Sequence, residues 1–161
     1  MERMSKLAKE IERKFLVAAS WQPGNRGDRI AQGYLCREPD RTVRVRLRGE
    51  KGYLTIKGRN SGITRLEYEY EIPYGDAEAL LRLCEPPLVE KTRYVEYWNG
   101  FKWEIDVFTG ANAGLVVAEI ELPAIDTVFQ RPSWLLAEVS NDPRYYNSNL
   151  IKNPYSVWEK E

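Results

Sequence analysis

The stretch Glu10-Ile11-Glu12-Arg13-Lys14-Phe15-Leu16-Val17 concentrates charges with a regular spacing. On an extended strand side chains alternate between faces, so Glu10, Glu12 and Lys14 share one side and Ile11, Arg13 and Phe15 the other. Two carboxylates in line with an ammonium suit a hard divalent cation bound together with an anion. Carboxylate oxygens are ligands for Mg²⁺ or Mn²⁺, and lysine meets phosphate as a point charge. The same alternation recurs, sorted by sign. Arg44, Arg46 and Arg48 form one row, and Lys91 with Arg93 another. Lys57 shares a face with Tyr53 and Thr55. Glu67, Glu69 and Glu71 form an acidic row, as do Glu104 with Asp106 and Glu119 with Glu121.

Rows of one sign are uneconomical on a water-facing surface, because like charges two residues apart repel and gain nothing. They make sense where strands face one another across a polar lumen. Basic rows there hold a polyanion and acidic rows hold metal ions. The opposite faces, such as Val43, Val45 and Leu47, then point outward and need cover from helices. A wet, charged lumen costs less than burying the same groups dry.

The elements that carry these rows are short strands separated by turn signals. Pro, Gly, Asn and Asp break the chain between Trp21 and Asp28, Glu38-Pro39-Asp40 turns it, Gly49 to Gly52 makes a hairpin, and Asn99-Gly100 is a strong two-residue hairpin signal. Gly33, within the strand Ile30 to Leu35, allows a bulge or a close approach. About eight strands joined mostly by short turns predict an antiparallel meander, closed or nearly closed. Asp76 is placed as an N-cap for a helix with Ala77, Leu80, Leu81 and Cys84 on one face, stopped by Pro86-Pro87. Beyond Pro123 the chain reads as helical: a turn over Asp126 to Gln130, a helix capped by Ser133 over Trp134 to Val139, and another opened by Asp142-Pro143 and running through Leu150.

Composition narrows the chemistry. The 161 residues predict one domain with a real core, and a formal net charge of zero argues against a broad nucleic-acid surface. There is no histidine, so histidine acid–base catalysis and histidine-based zinc sites are unavailable. Cys36 and Cys84 are too few for a disulfide framework and predict reduced thiols. With no apolar leader in the first residues and no membrane-length apolar window, a cytoplasmic protein without membrane partners is expected.

In order along the chain, several motifs resemble the CYTH superfamily, the triphosphate tunnel metalloenzymes. They are Glu10-Ile11-Glu12-Arg13-Lys14, Gln32-Gly33-Tyr34-Leu35, Arg44-Val45-Arg46, Thr55-Ile56-Lys57, Arg65 with Glu67 and Glu69, Glu90-Lys91-Thr92-Arg93-Tyr94, Glu104-Ile105-Asp106, Glu119-Ile120-Glu121, and Arg144-Tyr145 with Asn147. The resemblance implies a mainly antiparallel β (α+β) fold: an eight-stranded closed barrel with a few flanking helices and a C-terminal plug helix. It implies a linear triphosphate as small-molecule substrate and Mg²⁺ or Mn²⁺ as cofactor; homodimers occur among relatives, and the oligomeric state here stays open. By the same resemblance Arg44, Arg46, Lys57, Lys91, Arg93 and Arg144 hold phosphates. Glu10, Glu12, Glu119 and Glu121 lead the metal ligands, with Glu67, Glu69 and Asp106 nearby, and Lys14 and Tyr34 position or activate water. Asn149 and Asn153 leave the tail less basic than in some relatives. Hydrolysis of inorganic tripolyphosphate to pyrophosphate and phosphate is the expected activity. A class IV-type adenylate cyclase, a thiamine or nucleoside triphosphatase, and a non-catalytic polyphosphate- or nucleotide-binding module are the alternatives.

Overall fold

The computed structural model describes residues 9–158. It contains strands β1 (Lys9–Val17), β2 (Asp28–Glu38), β3 (Arg41–Arg48), β4 (Lys51–Gly58), β5 (Thr64–Ile72), β6 (Val89–Trp98), β7 (Phe101–Phe108), β8 (Val116–Glu121) and β9 (Leu135–Glu138). A single α-helix among the described residues, α1 (Tyr74–Leu81), lies between β5 and β6. The strands pair in the order β5-β4-β3-β2-β6-β7-β8-β1, and β1 also pairs with β5, so the first eight form a ring. All pairings are antiparallel.

The ring is not the simple meander that the turn spacing suggested. Two meanders, β2 to β5 and β6 to β8, join through β2 and β6, and β1 closes the gap between β5 and β8. β1 does so by dividing its length. Lys9 to Ile11 pair with β5, Glu12 to Leu16 with β8, and Phe15 and Val17 with β9. The opening charged strand is therefore the closing stave of the barrel.

Alternation decides what faces the lumen, and three apolar shells seal the rest. Outside β2 to β4, Ala77 and Leu81 of α1 and Cys84 of the turn after it pack with Val45. Two glycines allow the helix to come this close. A Cβ on Gly33 would lie 2.7 Å from Cys84 Cβ, and one on Gly52 would lie 2.6 Å from Ala77 Cβ. Outside β1, β7 and β8, Phe129 and Trp134 from the chain after β8 stack edge-on against Trp103, with ring centroids 5.7 and 5.5 Å away. At the end of the ring where β1 finishes, Tyr145, Leu150 and Ile151 bury with Val89, Phe108, Leu115 and Val117.

The helical expectations for the C-terminal third need correction. Trp134 to Val139 is no helix: Leu135–Glu138 is β9, anchored on β1 by Val139 N–H donating to the Lys14 carbonyl at 2.8 Å. The free edge of β1 supplies partners that an isolated short apolar run cannot reveal. Asp142-Pro143 does cap a turn, with the Asp142 side chain accepting from Arg144 N–H. That turn is a 3₁₀ segment, Pro143–Tyr145, followed by further turns instead of a plug helix. Here Asn149 bonds the Pro143 carbonyl at 2.8 Å, the kind of side-chain competition that unwinds an α-helix. Asp126 to Gln130 forms no helix either. Around α1 the N-cap is Pro73, with Asp76 in the first turn. Among the described residues no helix is long and apolar enough to cross a membrane.

Candidate active site

The ring encloses a polar cavity of about 320 Å³. Strand register turns the single-sign rows into walls. Lys57 stands opposite Glu67, Arg93 opposite Asp106 and Lys14 opposite Glu119, whereas Glu12 faces Glu121 and Glu104 faces Glu119 across neighbouring strands. Unlike charges opposed in this way attract, and like charges repel. The cavity therefore has a wall of braced cations on β3 and β6 and an arc of crowded carboxylates on β1, β7 and β8.

On the basic wall, Asp106 lies behind the lining and is 1% exposed. It accepts from Lys91 Nζ at 2.7 Å and from Arg93 Nε and Nη2 at 2.8 and 2.9 Å. Burial alone would raise its pKa, but Arg93 and Lys91 outweigh it and hold the carboxyl far below the usual range. Lys91, wholly buried, is pushed down to about 7 by desolvation, with Asp106 opposing and Arg93 and Arg46 adding to the fall. Arg44 donates to Thr55 Oγ1 at 3.1 Å and to Glu69 at 3.4 Å, yet its buried Nε has no hydrogen-bond partner.

Arg46 is different again. It donates Nε to Gln32 Oε1 at 2.8 Å and, among the described residues, forms no ion pair. Burial, followed by repulsion from Arg44 and Arg93, lowers it to about 9. A buried guanidinium without a carboxylate is costly unless an anion completes it.

The acidic arc works the other way. Desolvation raises Glu10 to about 8, helped by a hydrogen bond with Glu67 and opposed by Lys57, whose Nζ is 3.1 Å from Glu10. Glu12 is raised well above the carboxylate range by burial and then by Glu119, with which it shares a hydrogen bond. Glu67 and Glu119 are burdened by burial too, but they receive those bonds and sit near cations, so each falls to about 2. Within each pair, Glu10 with Glu67 and Glu12 with Glu119, one carboxyl is thus held above the ordinary range and the other below it. Glu121, raised by burial and then by Glu67 and Glu104, lies beside them.

Among the described residues no three acidic side chains already form a metal cage. The donor set nevertheless fits a hard cation. Carboxylates that must hold protons to coexist are the groups a divalent ion would bridge, and all their oxygens are hard ligands. Glu10, Glu12, Glu119 and Glu121 could hold it, with Glu67 and Glu69 on the adjacent β5.

The cavity brings together thirteen of the residues predicted from sequence: Glu10, Glu12, Lys14, Tyr34, Arg44, Arg46, Lys57, Glu67, Glu69, Lys91, Arg93, Glu119 and Glu121 all line it. Two do not. Asp106 braces Lys91 and Arg93 from behind, with its oxygens consumed by those donors. Arg144, with a side chain 56% exposed, bonds Asp142 at 2.7 Å and stacks over Trp158 outside the cavity. The local Asp142-Pro143-Arg144 turn keeps it there. Lys14 Nζ donates to the Tyr145 carbonyl at 2.9 Å, and the Tyr34 hydroxyl meets Gln32 Nε2 at 3.5 Å; among the described residues no hydrogen bond joins Lys14 to Tyr34. Sequence reasoning assigned no role to Thr42, Lys102, Ser140, Tyr146 or Ser148 and placed Glu104 only in an acidic row without naming it as a ligand; all of these also line the cavity. Lys102 and Glu104 were legible from the β7 alternation. The C-terminal residues were not, because turns carry no periodicity.

The comparisons with known proteins agree with this geometry. Residues 8–152 match the CYTH domain family. The chain is 53% identical to an inorganic triphosphatase of Acetivibrio thermocellus over 156 residues, covering 96% of this chain and all of that protein. It is 37% identical to an inorganic triphosphatase of Nitrosomonas europaea over 145 residues, 88% of this chain and 95% of the relative. The crystal structure of the inorganic triphosphatase NE1496 superposes with a TM-score of 0.65 at 35% identity, covering 88% of this chain and 93% of that one. A ring of strands around opposed basic and acidic walls, matched along nearly its whole length, makes this chain a member of the CYTH domain family.

Proposed function

We propose that the protein is a metal-dependent triphosphatase that hydrolyses inorganic tripolyphosphate to pyrophosphate and phosphate. The carrying observation is the cation wall: Arg46 lacks a carboxylate and Arg44 Nε lacks any acceptor, so the cavity holds buried donors that a polyanion satisfies. The family's triphosphatases depend on a metal ion, and we propose Mg²⁺ or Mn²⁺ here because every candidate ligand is a carboxylate. When bound, the metal neutralises phosphate charge and polarises water.

The chain's own residues do the positioning. Arg44, Arg46, Lys57, Lys91 and Arg93 hold the phosphate oxygens, with Arg93 and Lys91 oriented by Asp106. Lys14, with one N–H on the Tyr145 carbonyl, has further donors for the cavity, and with Tyr34 it orients the attacking water. Water adds to the terminal phosphorus and gives up a proton to solvent, the bridging P–O bond breaks, and pyrophosphate leaves with the electron pair. Such phosphoryl transfer needs chiefly alignment and charge neutralisation, which preset cations provide.

The whole chain acts as one domain in this reading, in the cytoplasm, with Cys36 and Cys84 as free thiols. A homodimer is part of the proposal, and the outer face of β4 and β5 is the surface open to it, with Ile56, Leu66 and Tyr70 exposed there. The test supplies purified protein with tripolyphosphate, ATP and thiamine triphosphate in turn, each with Mg²⁺ or Mn²⁺. Phosphate release fastest from tripolyphosphate is expected. Cyclic AMP from ATP would identify a cyclase instead, and binding without turnover a sensor.

A further inference from the structure

Two neutral amides lie between the phosphate cations and the C-terminal turns. Gln32, wholly buried on β2, accepts from Arg46 Nε at 2.8 Å through Oε1 and donates Nε2 to Asn147 Oδ1 at 3.2 Å. Asn147 Oδ1 also accepts from Lys91 Nζ at 3.1 Å. Guanidinium and ammonium only donate, so both amide orientations are dictated from their charged ends, and both lone pairs of Asn147 Oδ1 are filled. The chain Arg46–Gln32–Asn147–Lys91 spans β3, β2, the C-terminal turns and β6. One residue pair away, Lys14 Nζ donates to the Tyr145 carbonyl at 2.9 Å.

A carboxylate in place of either amide would satisfy the same cation, but it would also neutralise it. The amides fix the direction of Arg46 and Lys91 without adding negative charge, so Arg46 keeps its charge for an anion and Lys91 carries no carboxylate beyond Asp106. They also give the segment Tyr145 to Ser148 a stake in the phosphate site, since moving it would release Lys14, Lys91 and, through Gln32, Arg46.

We propose that Gln32 and Asn147 are positioning residues that aim Arg46 and Lys91 at the substrate and couple the order of the C-terminal turns to phosphate occupancy. The proposal rests on the triphosphate reading of the cavity. It makes these turns a working part of the site, set by two uncharged side chains that touch the protein cations facing the substrate.

The test uses the full chain, with tripolyphosphate as probe. Gln32→Ala and Asn147→Ala are each expected to raise KM about tenfold with kcat changed by less than about threefold, the pattern of lost ground-state and transition-state binding alike. In an Arg46→Lys background, which lacks the Nε donor, Gln32→Ala should add less than about a twofold effect, because a residue acting through Arg46 has nothing left to orient. Hydrogen exchange of the backbone amides of residues 145–150 should slow when tripolyphosphate binds to the wild type. A merely structural amide would lower the melting temperature without moving KM, and its effect would add to that of Arg46→Lys. Either result overturns the proposal, as does unchanged exchange. Should the alanine variants fail to fold, isosteric Gln32→Glu and Asn147→Asp keep the packing but neutralise the cations. They must raise KM at least as much, and an unaltered KM overturns the proposal. If the wild type binds tripolyphosphate without cleaving it, the hydrolase reading fails alone, and dissociation constants replace KM in the same comparisons.

Discussion

The two walls of the cavity solve opposite problems. On the basic wall each cation but one is braced before substrate arrives: Arg93 and Lys91 by Asp106, Arg44 by Thr55 and Glu69. On the acidic wall the carboxylates crowd one another and outnumber the cations that reach them, chiefly Lys57 at Glu10 and Glu67 and Arg93 at Glu119, so Glu10 and Glu12 are raised while Glu67 and Glu119 are lowered. In the proposed reading the anion site is built in advance, and the cation site would be completed only by its ion. This difference separates positioning, which the fold supplies at folding, from charge balance, which it leaves to the ligands.

The comparison breaks first at Asp106. Replacing it with alanine leaves Lys91 and Arg93, both buried, without their partner, and losing one member of a buried ion pair costs about 3–5 kcal/mol. Urea denaturation of Asp106→Ala should show that loss. A smaller change would mean that water or Glu104 takes over the bracing.

Arg46 should do the reverse. It is the buried guanidinium without a carboxylate, repelled by Arg44 and Arg93. Arg46→Met keeps much of the volume and removes that repulsion, so the metal-free, substrate-free protein should melt no lower than wild type. The same change should cut kcat/KM for tripolyphosphate about 10- to 100-fold, the worth of a charge-assisted hydrogen bond. A variant that is both unstable and inactive would show that Arg46 is structural.

The held protons give a pH signature. Glu10, at about 8 instead of its ordinary 4.5, and Glu12, also raised well above 4.5, carry protons in the fold that they lose in the unfolded chain. Their stabilisation is complete below pH 4.5 and lost as pH rises toward 8 and beyond. Glu67 and Glu119, lowered to about 2, act oppositely, and their stabilisation fades as pH falls from about 4.5 toward 2. Metal-free protein should therefore be most stable in mildly acid solution and melt progressively lower up to pH 8. Adding Mg²⁺ or Mn²⁺ at pH 7 should release protons and flatten that decline, because the ion replaces them. Melting curves with chelator or metal across this range, and proton release on titration, check both. A flat chelator curve would deny the crowded arc.

Much of this was legible in the sequence because strands announce themselves by period two. Most members of the rows from Glu10 to Glu121 line the lumen as their alternation required, while Glu71, at the far end of its row, is exposed outside it; Asn99-Gly100 made its hairpin with both residues at positive φ, 49° and 81°. Less legible was anything set by contacts between distant segments. The split pairing of β1 depends on where β5, β8 and β9 end. The strand Leu135–Glu138 exists because β1 has an edge to spare. Asp106 shares its strand face with Glu104, yet one lies behind the cations and the other at the cavity, a difference set by depth, which alternation does not encode. The amide pair of Gln32 and Asn147 joins residues 115 positions apart, neither of them charged.

Arg144 is the mildest way to probe the comparison. The ordered motifs placed it with the phosphate cations, beside Tyr145 and Asn147. The fold instead turns it outward, where Asp142 takes its guanidinium and the rings of Tyr145 and Trp158 lie beneath it. Residues three apart in a turn need not share a destination: Asn147 reaches Lys91 inside, while Arg144 covers the outer surface of the same turns. An exposed cation at that distance from the cavity is screened by water and salt. Arg144→Ala should therefore leave KM for tripolyphosphate within about twofold of wild type, as expected for a surface change. Its small effect should also vanish in high salt, whereas that of Arg46→Met should persist. A tenfold rise in KM for Arg144→Ala would mean that the C-terminal turns rearrange on binding and carry this arginine inward, joining the outer surface to the basic wall.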